Sequence, residues 1–132
     1  NGALAGLVSI TAEPLTPTLG WTCFIGGVGG VIVVYGVPLL DKFKIDDVVG
    51  AIPVHLFAGI WGTLAVVLTN PEAALGTQIY GIVVVGVFTF VISGAAWVIL
   101  NAVLGIRVSE EDEITGLDTA ELGMEAYPDF VR

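Results

Sequence analysis

The sequence VVGAIPVHLFAGIWGTLAVVL, residues 48–68, carries no Asp, Glu, Lys or Arg and a single histidine, His55, the only one in the chain. A helix that crosses the hydrocarbon core of a bilayer needs about 20 mostly apolar residues. The stretch therefore predicts a transmembrane helix with one ionisable side chain near its middle. The function of that histidine depends on the medium around the helix, which the composition of the whole chain indicates.

Two more stretches have the length and apolar character of a membrane span, residues 21–40 and 78–104, and residues 2–11 look like the second half of another. Of the 132 residues, 55% are hydrophobic and 13% are charged, whereas a soluble domain has about 25% charged residues. So short a chain cannot hide that much apolar surface from water. The sequence predicts an all-α integral membrane protein, with transmembrane helices over 1–105 and an acidic tail over 106–132.

The distribution of charge predicts how these helices are oriented. Residues 107–132 contain two Arg and eight acidic residues, so they carry −6 of the net −9 of the chain, which does not suit nucleic acid or an anionic membrane surface. If the loops alternate across the membrane, all four basic residues, Lys42, Lys44, Arg107 and Arg132, fall on one side. By the positive-inside rule that side is cytoplasmic. We therefore expect a multi-pass protein of the cell membrane with a cytoplasmic C-terminus.

His55 is the strongest candidate for a functional residue, because an ionisable group at bilayer depth is costly. Burial disfavours the imidazolium, so we expect a neutral ring, which offers one hydrogen-bond donor and one acceptor. Such a ring suits a small neutral polar solute, a haem iron or a proton relay, and equally a structural bond to a neighbouring helix. Pro53 is expected to interrupt the helix and free a carbonyl group, which favours a cavity beside His55.

Two features of the spans concern their ends and their packing. Asp46 and Asp47 precede the His55 span at its cytoplasmic end, where they either favour the helix N-terminus or anchor the tail or a partner. The glycine pairs of GALAG (residues 2–6) and GGVGG (residues 26–30) are spaced for close helix packing in lipid.

The tail and the cysteine content limit the chemistry further. Asp118 followed by Glu121 predicts a capped short helix, against the alternative of a flexible, solvated segment. One cysteine, Cys23, and one histidine supply neither a cysteine metal cluster nor a nucleophile with its base. We therefore expect no enzyme activity and no cofactor.

Three motifs together resemble the ammonium transporter family (Amt/Mep/Rh). KIDDVVGAIPVHLFAGIWGTLAV, residues 44–66, is similar to the family's tenth transmembrane helix, D-D-P-V-G-A-x-x-V-H-G-x-x-G-x-W-G-T-L. NGALAGLVSIT, residues 1–11, looks like the end of the eighth helix, and GLDTAELGMEAY, residues 116–127, resembles the tail signature G-L-D-x-x-x-H-G-E-x-A-Y. The residues that match the tenth helix are Asp46, Asp47, Gly50, Ala51, Val54, His55, Gly59, Trp61, Gly62 and Thr63.

The resemblance implies part of an eleven-helix bundle: the end of helix 8, helices 9–11 and a cytoplasmic tail. Family members form homotrimers, and each subunit conducts ammonium or ammonia through its own pore lined by two histidines. His55 would be the second histidine, with Ala51 and Ile10 also along the pore. The first histidine would lie in helices 1–8, outside this chain, so we expect the last third of a transporter.

The resemblance also implies roles on the cytoplasmic side. Asp46 and Asp47 would lie at the cytoplasmic mouth, and the tail would dock beneath its own and a neighbouring subunit. Some family members bind a trimeric PII-type signalling protein at this face. The residues implied in tail docking are Gly116, Leu117, Asp118 and Tyr127.

The chain departs from the family pattern at four of these positions. Val48 and Leu56 replace a proline and a glycine of the tenth helix, and Leu122 and Met124 replace the histidine and glutamate of the tail signature. Three other interpretations stay open: an ammonium sensor of the same fold, a haem-binding membrane anchor with His55 as ligand, and a piece of a longer or split chain without activity alone.

Overall fold

The structure is a computed structural model that describes residues 1–15, 17–126 and 128. All regular secondary structure in these residues is helical, which confirms the predicted all-α class. Among them, three helices are long and apolar enough to cross a membrane. In chain order the elements are α1 (Gly2–Ile10), α2 (Leu19–Lys42), a π-helical segment (Ile52–Phe57) continued directly by α3 (Ala58–Thr69), α4 (Leu75–Leu104), α5 (Glu110–Thr115) and α6 (Leu117–Leu122).

The predicted spans correspond to α2, to the π segment with α3, and to α4, but the second begins later than predicted. The sequence predicts a helix from residue 48, whereas residues 48–50 form a turn and the helix begins at Ile52. Gly50 explains the difference, because its φ of +73° lies in the left-handed region that glycine adopts without strain. The Gly50 N–H donates to the Asp47 carbonyl oxygen at 3.1 Å and closes the turn.

Within the first compact unit, Asn1–Val87, α1 and α2 pack along their glycines. A Cβ atom added to Gly6 would lie 3.4 Å from the Gly26 carbonyl oxygen, and one added to Gly30 would lie 3.6 Å from the Gly2 carbonyl oxygen. Because Gly2 pairs with Gly30 and Gly6 with Gly26, the helices run antiparallel. The close packing predicted from GALAG and GGVGG is confirmed.

Ser9 is the point where α1, α2 and α3 meet. It is 1% exposed, and its hydroxyl donates to the Ala5 carbonyl oxygen at 2.8 Å within the same helix. Gly29 of α2 packs against the Ser9 hydroxyl, and Gly62 of α3 packs against the Ser9 backbone carbonyl. A Cβ atom on either glycine would overlap Ser9, so these two glycines allow α2 and α3 to enclose a polar side chain of α1.

One long-range side-chain hydrogen bond lies at each end of this unit. The Asn1 side-chain amide donates to the Val49 carbonyl oxygen at 2.9 Å, and the Asn70 side-chain amide donates to the Glu13 carboxylate at 3.0 Å. α1 therefore runs parallel to the π segment and α3. The turn over 43–50 lies at the Asn1 end of the unit, and the loops that contain Glu13 and Asn70 lie at the other end. This arrangement agrees with the alternation of loops used to predict the cytoplasmic side.

The second compact unit, Phe88–Arg132, contains the C-terminal part of α4 and the tail. None of the α4 residues is buried among the described residues. The N-cap of α5 is Ser109, whose hydroxyl accepts a hydrogen bond from the Asp112 N–H at 3.1 Å, and Arg107 pairs with Glu113 at 2.9 Å. Two short helices thus occupy most of residues 110–122. The division of the chain at 105/106 follows the end of α4 and stays a prediction.

We expect Gly29→Ala to destabilise the packing of α1 against α2. The added methyl group would overlap the Ser9 hydroxyl and lie 2.8 Å from the Ala5 carbonyl oxygen, and overpacking of this kind costs roughly 1–3 kcal/mol. Gly27→Ala is the control, because nothing lies within 4 Å of a Cβ atom at that position of the same helix. The measurement is the unfolding temperature of the complete transporter in detergent. Equal unfolding temperatures for the two variants would contradict this account.

Candidate functional site

The helix that carries His55 begins with a capped turn. Both oxygen atoms of the Asp47 carboxylate accept hydrogen bonds, one from the Ala51 N–H and one from the Ile52 N–H, each at 2.8 Å. A carboxylate at this position satisfies N–H groups that have no carbonyl partner, and the helix dipole favours it. Of the two interpretations of the aspartate pair, the geometry of Asp47 supports the helix start, whereas the Asp46 side chain is exposed.

His55 lies in the π-helical segment that follows this cap. The Ala58 N–H donates to the Pro53 carbonyl oxygen, five residues earlier, which is the π-helical pattern. Pro53 and Val54 are buried, whereas His55 and the next residue, Leu56, are exposed on the surface of this unit. The segment therefore presents the imidazole away from the face that packs against α1 and α2, and π-helical turns are frequent at functional sites.

His55 also lies nearer to the capped end than the sequence predicts. It is the fourth residue of the helix that begins at Ile52, about 5 Å along the axis from that residue at a rise of about 1.5 Å per residue. The left-handed turn at Gly50 removes residues 48–50 from the helix and causes this shift.

Pro53 does not interrupt the helix, contrary to the prediction. It is the second residue of the π segment, where its missing N–H falls in the first turn and costs no helical hydrogen bond. The Val49 carbonyl oxygen, four residues before it, accepts a hydrogen bond from the Asn1 side chain instead. The Val54 N–H donates to the Gly50 carbonyl oxygen at 3.1 Å. Together with the Asp47 cap, these bonds account for the backbone donors of residues 51–54.

Among the described residues, no side chain or carbonyl group hydrogen-bonds to the His55 imidazole. The structural alternative, a bond from His55 to a neighbouring helix, therefore has no partner in the described part of this chain. The cavity predicted beside His55 stays a prediction.

The other two predicted pore residues lie at different depths. Ala51 is half-buried and immediately precedes the π segment, so it shares a local element with His55. Ile10 ends α1 next to Ser9, whose hydroxyl lies 3.4 Å from the Ala58 carbonyl oxygen. Since Ser9 also packs against Gly62, Ile10 lies at the level of α3 and not of the π segment.

An apolar groove between α2 and α3 lies near the end of the unit opposite to Asp47, and no sequence motif indicates it. Its volume is about 640 Å³. The Trp61 indole N–H donates to the Ile25 carbonyl oxygen at 2.9 Å, and its ring contacts Phe24 edge-to-face with 6.4 Å between centroids. Trp61 therefore packs α3 against α2. The residues that line the groove are Thr18, Gly20, Trp21, Phe24, Trp61 and Leu68.

In the tail, Asp118 forms a clasp that joins two parts of the signature segment. One carboxylate oxygen accepts from the Thr119 N–H at 3.0 Å and the other from the Ala126 N–H at 2.7 Å, eight residues along the chain. The predicted short helix is α6, but its N-cap is Gly116, with a φ of +102°, and not Asp118. Tyr127 lies outside the described residues.

Three described apolar residues of the tail signature are exposed within this unit. Leu117 is 43% exposed, and Leu122 and Met124, which depart from the family pattern, are each 69% exposed. Exposed apolar side chains on an acidic segment leave surface available for a partner.

Long apolar helices packed through glycines, with one histidine on a π-helical turn, define a helical membrane protein with a candidate polar site in an apolar span. The chain belongs to the Ammonium Transporter Family, whose sequence profile matches residues 1–127. This membership confirms the resemblance inferred from the three motifs.

Curated relatives of this chain are ammonium transporters by name. The chain is 41% identical to ammonium transporter Amt2 of Archaeoglobus fulgidus, over 99% of this chain and 32% of that protein. It is 36% identical to Amt1 of Haloferax mediterranei, over 99% and 26% of the two chains. It is 41% identical to a putative ammonium transporter of Synechocystis sp., over 93% and 28%. The chain thus spans about a third or less of the length of these relatives.

We expect Asp118→Ala to open the turn that follows α6. Without the carboxylate, the Ala126 N–H group loses its acceptor, whereas the Thr119 N–H group keeps the Gly116 carbonyl oxygen at 3.2 Å. Amide hydrogen exchange of the complete protein should therefore accelerate at residue 126. Glu121→Gln is the control, because it removes a charge from the same helix at an exposed position. Unchanged exchange in Asp118→Ala would show that the clasp does not hold the tail.

Proposed function

We propose that this chain is the C-terminal part of an ammonium transporter that moves ammonium or ammonia across the cell membrane. The observation that carries the proposal is the placement of His55. It is the only histidine of the chain, it lies in an apolar membrane helix, and it projects from the face that the helices of this unit leave open. The names of the relatives support the same substrate.

The proposed chemistry follows from the cost of moving a charge through an apolar pore. An unpaired ion in a medium of low dielectric constant costs on the order of tens of kcal/mol by a Born estimate, so ammonium cannot cross as a bare ion. A workable mechanism removes the proton on the outer side, passes neutral ammonia, and relays or returns the proton. A neutral imidazole at His55 can donate a hydrogen bond to ammonia or accept one from it, whereas a carboxylate would trap the cation and an apolar residue would offer no bond.

The proposal needs the rest of the transporter. A second pore histidine would come from the part of the parent protein outside this chain, helices 1–8, which would also cover the open face around His55. The complete protein is proposed to be a multi-pass homotrimer with a cytoplasmic C-terminus, in which each subunit has its own pore. The family match favours transport over the haem-anchor alternative.

The tail is proposed to dock on the cytoplasmic face of the transporter, where Asp46 lies at the pore mouth. Leu117, Leu122 and Met124 supply exposed apolar surface for that contact, and the Asp118 clasp holds the segment that carries them. A PII-type signalling protein is a further proposed partner at this face.

We expect His55→Ala to keep the fold and to abolish ammonium transport or make it unselective. The side chain is exposed within this unit, so its removal leaves no buried partner unsatisfied. The measurement is uptake of labelled methylammonium, and of potassium for selectivity, by a complete transporter that carries the change. Val34→Ala is the control, since it truncates an exposed side chain of a neighbouring span, α2. Unaltered rate and selectivity in His55→Ala would contradict the proposal.

We expect the turn around Lys44 and the tail to be reachable only from the cytoplasm, because the basic residues cluster there. In a complete protein with Cys23→Ser, single cysteines at positions 44 and 111 should react with an impermeant reagent only after the cells are opened. A cysteine at position 72, in the loop at the other end of the unit, is the control and should react in intact cells. Labelling of position 111 from outside would overturn the orientation.

A further inference from the structure

The Asp47 side chain caps the start of the His55 helix, and the Asn1 side chain binds the preceding turn at the Val49 carbonyl oxygen. The two carboxylate oxygens of Asp47 accept hydrogen bonds from two consecutive N–H groups, those of Ala51 and Ile52, each at 2.8 Å. Ile52 is the first residue of the π-helical segment, and His55 follows three residues later. The cap and the histidine therefore belong to the same turn of helix.

We propose that Asp47 is a positioning residue for His55: its carboxylate fixes the start of the π-helical turn and thereby the direction of the imidazole. The inference rests on the proposed function, in which His55 contacts the transported molecule. It assigns Asp47 a role different from a charge at the pore mouth, because both of its oxygens already accept backbone hydrogen bonds inside the protein.

The Asp47 carboxylate is the acceptor for the two N–H groups at the start of the first turn, those of Ala51 and Ile52. A helix leaves its first N–H groups without intrahelical partners, and the π segment begins with two such groups bound to Asp47 and with Pro53, which has none. The Val54 N–H alone is served by a backbone carbonyl, that of Gly50. Loss of the carboxylate leaves the Ala51 and Ile52 N–H groups without a hydrogen-bond acceptor. The turn that carries His55 is then expected to rewind or fray.

One side of this turn is packed against α2 and the other side is exposed, so loss of the cap is expected to move the exposed side more. Pro53 packs against Gly36 of α2, where a Cβ atom would lie 2.9 Å from the Pro53 Cβ atom, and Val54 is buried. His55 and Leu56, in contrast, are exposed on this unit. A change in the first turn therefore moves the exposed side, with the imidazole, more easily than the packed side.

The test is a double-mutant cycle in the complete transporter, with the ratio of methylammonium uptake to potassium uptake as the readout. We expect Asp47→Ala to lower this ratio about tenfold or more, since misplacement of a group by about 1 Å can cost about a hundredfold. Asp47→Ser, which keeps one N-cap acceptor, should lie between Asp47→Ala and the unchanged protein. In a His55→Ala background, Asp47→Ala should lower the ratio no further, because residues that act through one another are not additive.

Two exposed aspartates near Asp47, Asp41 at the end of α2 and Asp46 in the turn that follows it, separate positioning from surface charge. Asp41→Asn removes one charge at an exposed position and should retain the ratio of the unchanged protein. If Asp46→Asn lowers the ratio as much as Asp47→Asn does, the effect comes from charge at the mouth and the inference is wrong. The same holds if Asp47→Ala lowers the ratio further in the His55→Ala background.

A structural readout keeps the test decisive if Asp47→Ala yields too little folded protein. Amide hydrogen exchange at residues 51 and 52 should accelerate in Asp47→Ser relative to the unchanged protein, while exchange in α2 stays constant. Unchanged exchange at both residues would overturn the cap. If His55→Ala alone leaves the uptake ratio unchanged, the proposed function falls and this inference with it. If His55→Ala lowers the ratio and Asp47→Ala does not, only this inference falls.

Discussion

The structure depends on one constraint: in lipid, each backbone N–H and C=O group must find a partner within the protein, because no water is available. Regular helix meets this demand except at helix ends and at proline. At the start of the His55 helix, side chains meet two of these exceptions. Asp47 accepts from two N–H groups at a helix start, and the Asn1 amide donates to the carbonyl group of Val49. Both contacts lie at the same end of the first unit, around the turn that leads into the His55 helix.

Small residues allow the close helix packing that a lipid environment also requires. Lipid offers no hydrophobic gain for bringing helices together, so close van der Waals contact has to hold them. Gly29 and Gly62 let α2 and α3 approach Ser9 so closely that a Cβ atom at either glycine would overlap it. The Ser9 hydroxyl donates a hydrogen bond to the Ala5 carbonyl oxygen. A polar residue is tolerated at the centre of this apolar junction because its hydroxyl has two carbonyl acceptors, that of Ala5 in its own helix at 2.8 Å and that of Ala58 in α3 at 3.4 Å.

Sequence reasoning predicted the elements that depend on local composition. The apolar runs identified the three long helices, and the glycine pairs of GALAG and GGVGG indicated close helix packing but not that α1 and α2 are the helices that pack. It failed where a single backbone angle decided the result, since the left-handed Gly50 moved the helix start from residue 48 to Ile52 and left Pro53 harmless in the first turn. It also missed the bonds from Asn70 to Glu13 and from Trp61 to Ile25, which join residues far apart in the chain. Such pairs have no local pattern, because they depend on how the helices are arranged.

The position of His55 within the helix changes what controls it. At the middle of a long span, a histidine would be held by helical turns on both sides, and the start of the helix would have little influence on it. As the fourth residue, His55 lies inside the first turn, where the hydrogen bonds on its N-terminal side are the two made by the Asp47 cap and the one from the Val54 N–H to the Gly50 carbonyl oxygen. Three residues place the His55 ring at a helix start: Gly50 with its left-handed backbone, Asp47 with its two accepting oxygens, and Pro53, which has no N–H group. The later start of the helix therefore makes the residues before it part of the proposed site.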